Sequence, residues 1–211
     1  MKKNHLLFCV IVLSAMMFTS SAKTKTAAAG QSENAVVEAI MARRSIRKYQ
    51  DKPVPRELLQ KVAECGVNAP NAMNAQRWEV RIVDDPAFIH GVSEVYKAVY
   101  PEAVAREAGF KNMFRNAPAI ICVAAVPSRY AGIDTGLMGE NMMLAAYSFG
   151  LGTCCLGGPV EFLAHNPQAA EYYKRLNFSE GYELQYILAI GYPDEAPAAK
   201  PRDLKKIQFV K

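Results

Sequence analysis

The chain predicts an α+β domain, helices packed on a mixed sheet, and three stretches carry that prediction. Trp78 to Val83 alternates apolar and polar side chains, the period of a half-buried strand. Pro118 to Val126 is an unbroken apolar run, as in a strand covered on both faces. Gly136 to Phe149 is apolar over helical length and rich in Met and Ala, which suits a helix at the centre of a core or at a subunit interface.

The remaining elements follow in order. Ser32 is a helix cap ahead of Glu33 to Met41, where Ala35, Val36, Ala39 and Ile40 recur at helical spacing. A turn at Asp51-Lys52-Pro53-Val54-Pro55 leads into a second amphipathic helix, Glu57 to Cys65, with Gly66 as its stop. Pro70 to Gln76 is a polar loop. Asp85 to Arg106 is helical, broken near Pro101. Gly150-Leu151-Gly152 ends the central helix, Thr153 to Leu156 is a short strand, and Gly157-Gly158-Pro159 is a tight turn. Asn166 precedes a helix over Pro167 to Leu176, with proline at the permitted first position. Tyr182 to Ile190 is a strand closed by Gly191-Tyr192-Pro193. The tail from Asp194 is rich in Pro and Ala, then basic.

A length of 211 residues suits one domain, assigned to 32–211. Ahead of it, Lys2, Lys3 and His5 precede the apolar run Leu6 to Phe18, and Ser20 and Ala22 follow in cleavage-site positions. This is the three-part pattern of a secretory signal over 1–22, too short for a comfortable membrane span, with a polar tether over 23–31. The expectation is an exported, periplasmic or extracytoplasmic protein with no stable membrane anchor after cleavage. Beyond Cys9 in the apolar run, Cys65, Cys122, Cys154 and Cys155 match neither a zinc ribbon nor a C-x-x-C pair. They read as small buried apolar groups.

The formal charge of +5 is mild, and no basic stripe with interleaved aromatics occurs, so nucleic acid is not an expected partner. The chain has no G-x-G-x-x-G after its first strand, no P-loop, no G-x-S-x-G and no H-E-x-x-H. Three histidines, His5, His90 and His165, leave little for a triad or a metal site, and no metal is expected. A bound cofactor is then the natural source of any hard chemistry.

Three segments bear on that cofactor. Arg43-Arg44-Ser45-Ile46-Arg47 ends the first helix. Arginines there serve equally as a solvated cap on the helix dipole or as planar donors to a phosphate. Pro70 to Trp78 carries Asn71, Asn74 and Gln76, either a polar turn or a set of amides matched to the mixed donor and acceptor edge of a flavin. In Gly150 to Gly158 the glycines allow backbone to approach a flat ligand, or simply end a helix.

In this order the blocks R-R-S-I-R-K-Y-x-D-x-P-V, E-L-L, A-P-x-A-x-N-x-Q-x-W-x-V, G-L-G-T-C-x-L-G and I-G-Y-P, with a basic tail, resemble the nitroreductase family from about Ala35 onward. The resemblance implies a mainly antiparallel sheet flanked by helices in an intertwined homodimer, with FMN held non-covalently at the subunit interface. It implies a ping-pong reductase drawing on NADH or NADPH and reducing nitroaromatic, quinone or similar small electrophiles. The reacting centre would be flavin N5, with no catalytic side chain. Residue by residue, Arg43 and Ser45 would hold phosphate and ribityl oxygens, with Arg44 in the same segment, and Arg47 would lie near N1 and O2. Pro70, Asn71 and Asn74 would run along the ring from the other subunit. Cys155, Leu156, Gly157 and Gly158 would cover the ring near N5, and Lys200 and Arg202 would close on the phosphate. Asn71, Arg77 and Gly157 depart from residues common in the family, at positions that bear on substrate. Dehalogenation or ene reduction on the same fold, and flavin binding without catalysis, are the alternatives.

Overall fold

The computed structural model describes residues 34–211. The expected signal peptide (1–22) and tether (23–31), and the Ser32 cap, lie outside the described residues. Among the described residues four strands form one sheet: β1 (Trp78–Val83), β2 (Ala119–Ala125), β3 (Gly152–Leu156) and β4 (Glu183–Gly191), in the order β1-β2-β4-β3. All neighbouring strands are antiparallel, and the parallel component is a single bridge between Ser45 and Thr153. Seven α-helices stand among the described residues: α1 (Ala35–Ala42), α2 (Arg56–Val67), α3 (Pro86–Val99), α4 (Pro101–Ala105), α5 (Ala131–Ser148), α6 (Gly158–His165) and α7 (Ala170–Arg175).

The two sheet faces are read directly from the period of two along the strands. β2 is buried over its whole length. Its Ile120 and Cys122 enter one core with Phe88, Ile89 and Val92 of α3 and Phe162 and Leu163 of α6. Its Ala119, Ile121 and Val123 enter the other, with Leu59 and Val62 of α2 and Met138, Met142 and Ala146 of α5. β4 alternates in the same way until Gln185. Val123 pairs with Tyr186 but Ala124 with Leu184, so Gln185 is an extra residue. This bulge resets the parity and returns Leu184 to the first core.

Some boundaries differ from those expected. The cap of α1 is Asn34, whose side chain accepts the Val36 and Val37 N–H groups. α2 runs through Gly66 instead of stopping there. The glycine serves packing: a Cβ on Gly66 would lie 2.5 Å from Met142 Cγ, so its absence lets α2 sit close on α5. α5 begins at Ala131, five residues before Gly136, because the glycines at 132 and 136 lie within a helix whose buried stripe starts at Ala131. The expected turn at Gly157-Gly158-Pro159 is instead the start of α6, with Pro159 in the first turn, where its missing N–H costs nothing. The break near Pro101 is present, with Tyr100 at φ −124°, ψ 56° between α3 and α4.

The tight α2–α5 seam makes a stability prediction. Gly66→Val should lower the unfolding free energy by about 1–3 kcal/mol through overpacking against Met142. Urea denaturation measures it, and an unchanged midpoint would mean that the seam accommodates added volume.

Candidate active site

The arginine stretch is docked on an edge strand. After α1 the chain passes along the free side of β3: the Ile46 N–H donates to the Thr153 carbonyl at 2.9 Å, beside the parallel bridge at Ser45. Ile46 is buried against Gly152, where a Cβ would lie 2.6 Å from Ile46 Cγ1. Only glycine lets the two backbones meet there. Farther along, Lys48 to Gln50 pairs with Tyr192 to Asp194, through Gln50 N–H to Tyr192 O and Asp194 N–H to Lys48 O. The Glu195 carboxylate accepts the Arg47 N–H. Arg43, Arg44, Ser45 and Arg47 are thereby fixed beside the strand that leads to Cys155, Leu156, Gly157 and Gly158.

The arginines divide the two roles their spacing left open. Arg44 Nη1 donates to the Met41 and Arg43 carbonyls, each at 2.7 Å, and so caps α1. Arg43 Nε donates to Glu140 Oε1 of α5 at 3.2 Å. Both line a cleft of about 280 Å³ with Ile46, Gly152, Thr153 and the first tail residues, Glu195 to Pro197. Arg47 is exposed and lines a larger cleft of about 520 Å³ that also takes in Cys154 to Gly158, Tyr96, Tyr100, Phe110 and Arg115. Backbone space is open at its floor: a Cβ on Gly157 or Gly158 would meet nothing within 4 Å.

The cysteines do not behave alike. Cys122 and Cys154 are buried, as read from sequence, but Cys65 is only half-buried and Cys155 is exposed. Alternation along β3 sends Cys154 into the core and turns Cys155 out at the end of an edge strand. Burial pushes the Cys122 thiol up to about 12. Burial also raises the Cys154 thiol, against the pull of Arg47 and Arg115, and raises that of Cys155, helped by Cys154. Neither thiol at the cleft is set up as a thiolate nucleophile. Among the described residues no cluster of three or more His, Cys, Asp or Glu could hold a metal.

The amide loop lies elsewhere. Pro70, Asn71 and Asn74 precede β1, on the opposite edge of the sheet from β3. Met73, Asn74 and Gln76 adopt left-handed φ values of 56°, 50° and 50°. The bend is held by Asn71 Oδ1, which accepts the Gln76 N–H at 2.9 Å, and by Asp134 of α5, which accepts the Ala72 N–H at 3.0 Å. Within one chain this loop lines neither of the two clefts that take in the arginines. Lys200 and Arg202 are exposed on the tail, beyond the point where it leaves the smaller cleft, and Arg202 Nη1 donates to the Lys200 carbonyl at 3.1 Å.

Sequence inspection missed the carboxylates that anchor these segments. Glu140, Asp134 and Glu195 act on partners 97, 62 and 148 residues away, and no local pattern marks them. Arg115, at the rim of the larger cleft, carried no motif at all.

Residues 40–192 match the family model described as Nitroreductase family. An NADPH-flavin oxidoreductase of Vibrio harveyi is 28% identical over 80% of this chain and 70% of its own. A nitroreductase with bound FMN from Desulfitobacterium hafniense superposes with a TM-score of 0.73 at 28% identity, over 84% of this chain and 99% of its own. A nitroreductase with bound FMN from Bacteroides fragilis superposes with a TM-score of 0.74 at 26% identity, over 84% and 100%. With a match that runs from the last turn of α1 past the end of β4, the chain belongs to the nitroreductase family.

Proposed function

We propose that this protein is an FMN-dependent oxidoreductase that uses NAD(P)H to reduce small electrophilic acceptors, nitroaromatics and quinones among them, by a ping-pong mechanism as a homodimer. The observation that carries this is the docking of Ser45 and Ile46 on Thr153, which sets a cationic stretch beside an open, glycine-floored cleft. That donor set fits a flat group ending in a phosphate: permanent positive charge and a hydroxyl at one end, unobstructed backbone at the other. The NADPH-flavin oxidoreductase and the FMN-bound relatives support the same reading.

FMN, when bound, supplies a ring that accepts a hydride from NAD(P)H and passes it to the acceptor. The chain's own residues do the rest. Arg43, Arg44 and Ser45 bind the phosphate and ribityl end, and Lys200 and Arg202 of the tail close over it. Arg47 sets a fixed positive charge against the edge of the ring that becomes negative on reduction. Leu156, Gly157 and Gly158 give the ring a backbone floor, with Cys155 beside it, and the aromatic side chains around the cleft exclude water. Pro70, Asn71 and Asn74 come from the second chain, as the family resemblance implies; in their own chain they lie at the opposite edge of the sheet from β3. The exposed apolar side chains Val36, Val37, Ile40 and Met41 of α1 and Ile133 and Leu137 of α5 provide surface for that partner.

Purified protein should absorb as a flavin and bleach anaerobically on adding NADH or NADPH. Colourless protein with no gain in melting temperature on adding FMN would remove the proposal, because a ligand that binds only the folded state must stabilise it. Arg202→Ala should weaken FMN by about 1–3 kcal/mol, the scale of a charge-assisted hydrogen bond, and leave riboflavin nearly untouched. Equal losses for both ligands would contradict the phosphate assignment. Co-expressing Arg47→Ala and Asn71→Ala chains tests the shared site. The mixed dimer should regain one tight FMN site, while each variant alone has none. Absence of that recovery would place both residues in a single chain's site.

A further inference from the structure

The larger cleft has a wall and a charge that cofactor binding does not use, and what they select rests on the function proposed above. Tyr96 is the hub of the wall: its ring centroid lies 5.1 Å from that of Tyr100, 5.1 Å from Phe162, and 6.3 Å from Phe110 at an interplanar angle of 18°. Tyr100 remains 42% exposed at the break between α3 and α4. Such a wall favours a flat aromatic guest.

The charge is Arg115, and its loop is built to hold it. Arg115 and Asn116 both occupy the left-handed region, at φ 59° and 60°, a conformation that costs energy in an arginine and persists only in an over-determined loop. The loop is over-determined. Asn116 Oδ1 accepts the Lys111 and Asn112 N–H groups, and its amide donates to the Gly109 carbonyl. Buried Asn112 accepts the Phe114 N–H and donates to the Ala117 carbonyl. Buried Ser93 of α3 accepts the Met113 N–H at 3.1 Å. Among the described residues the Arg115 guanidinium has one carboxylate partner, Glu107, through Nη1 at 3.3 Å. A guanidinium carries five N–H donors, so this contact leaves most of the fork for a guest. The other carboxylate on the rim, Glu161, is turned out against His165, its side chain 80% exposed.

We propose that this cleft takes an aromatic acceptor bearing a carboxylate, its ring against Tyr96 and Tyr100 and its anion on Arg115, in competition with Glu107. Arg115 is then a specificity residue for anionic acceptors, and Glu107 is the internal anion that occupies it when no such acceptor is bound.

The test uses FMN-loaded enzyme and two acceptors with the same ring and nitro group, 4-nitrobenzoate and 4-nitrobenzyl alcohol. Arg115→Gln should lower the ratio of their kcat/KM values, benzoate over alcohol, by about tenfold, the scale of one charge-assisted hydrogen bond, and chiefly through KM. Glu107→Gln should move the ratio the other way, by about two- to threefold, because an exposed competitor is a weak one. Calorimetric titration with benzoate, which is not reduced, should follow the same order of affinities. FMN content of each variant reports folding. A ratio and a benzoate affinity that stay fixed, or that fall together in both variants, would overturn the assignment. If neither acceptor is reduced by wild-type enzyme, the function proposed above fails instead, and the benzoate titrations still decide the role of Arg115.

Discussion

The site depends on one backbone contact, Ile46 N–H to Thr153 O, made where Gly152 leaves no side chain in the way. Burying Ile46 is worth roughly 1.5–3 kcal/mol, so the seam is held by packing more than by its single short bridge. Its consequence is positional. Ile46 faces the core, so its neighbours Ser45 and Arg47 flank it at the free side of β3, while the same strand delivers Cys155 and the glycines that follow. A local event, two residues pairing on an edge strand, couples the end of one helix to the floor of a cleft. The contacts of Lys48 to Gln50 with Tyr192 to Asp194 then bring the start of the tail alongside, and Glu195 ties it to the Arg47 backbone.

The sheet order sets the second constraint. With β1 and β3 at opposite edges, the amide loop and the arginines line different clefts of one chain. The surface left over agrees with a partner on that scale. α1 has eight residues, none buried, and a helix of that length is marginal by itself in water. Yet Val36, Val37, Ile40 and Met41 are each at least half exposed, as are Leu204, Ile207, Phe209 and Val210 on the tail. An apolar surface of this extent on a short helix and an extended tail gains stability only when something covers it. On the homodimer reading, the second copy both covers it and completes the site.

What the sequence made legible follows the range of the interactions. β1, β2 and β4 were readable because alternation and unbroken apolar runs are local signals. Glycines were readable as special but not as to why. Gly66 looked like a stop and is a packing notch against Met142. Gly157 and Gly158 looked like a turn and open a helix over empty space. The start of α5 was misplaced because glycine is a poor helix former, and tertiary packing along Ala131, Thr135 and Met138 outweighs that local preference. The cationic and amide stretches were visible as residue types. Their anchors, Glu140, Asp134 and Glu195, were not, because each is defined by a partner more than sixty residues away.

The arginines show why residue type alone leaves a role undecided. Arg44 spends hydrogen bonds on the last carbonyls of α1, which is the bland role its position suggests, yet it also lines the smaller cleft. The two roles are compatible because a guanidinium has more donors than a helix end consumes. Arg43 is held by Glu140 at a half-buried pair, and Arg115 by Glu107 at an exposed one; the exposed pair contributes little to stability in water. Their value lies in geometry. Each carboxylate fixes a cation at the lip of a cleft without neutralising it through burial, so an incoming anion meets a positioned charge and displaces a weak partner. A cleft with bare arginines would pay more in side-chain entropy on binding, and one with buried ion pairs would hold its cations too tightly to release.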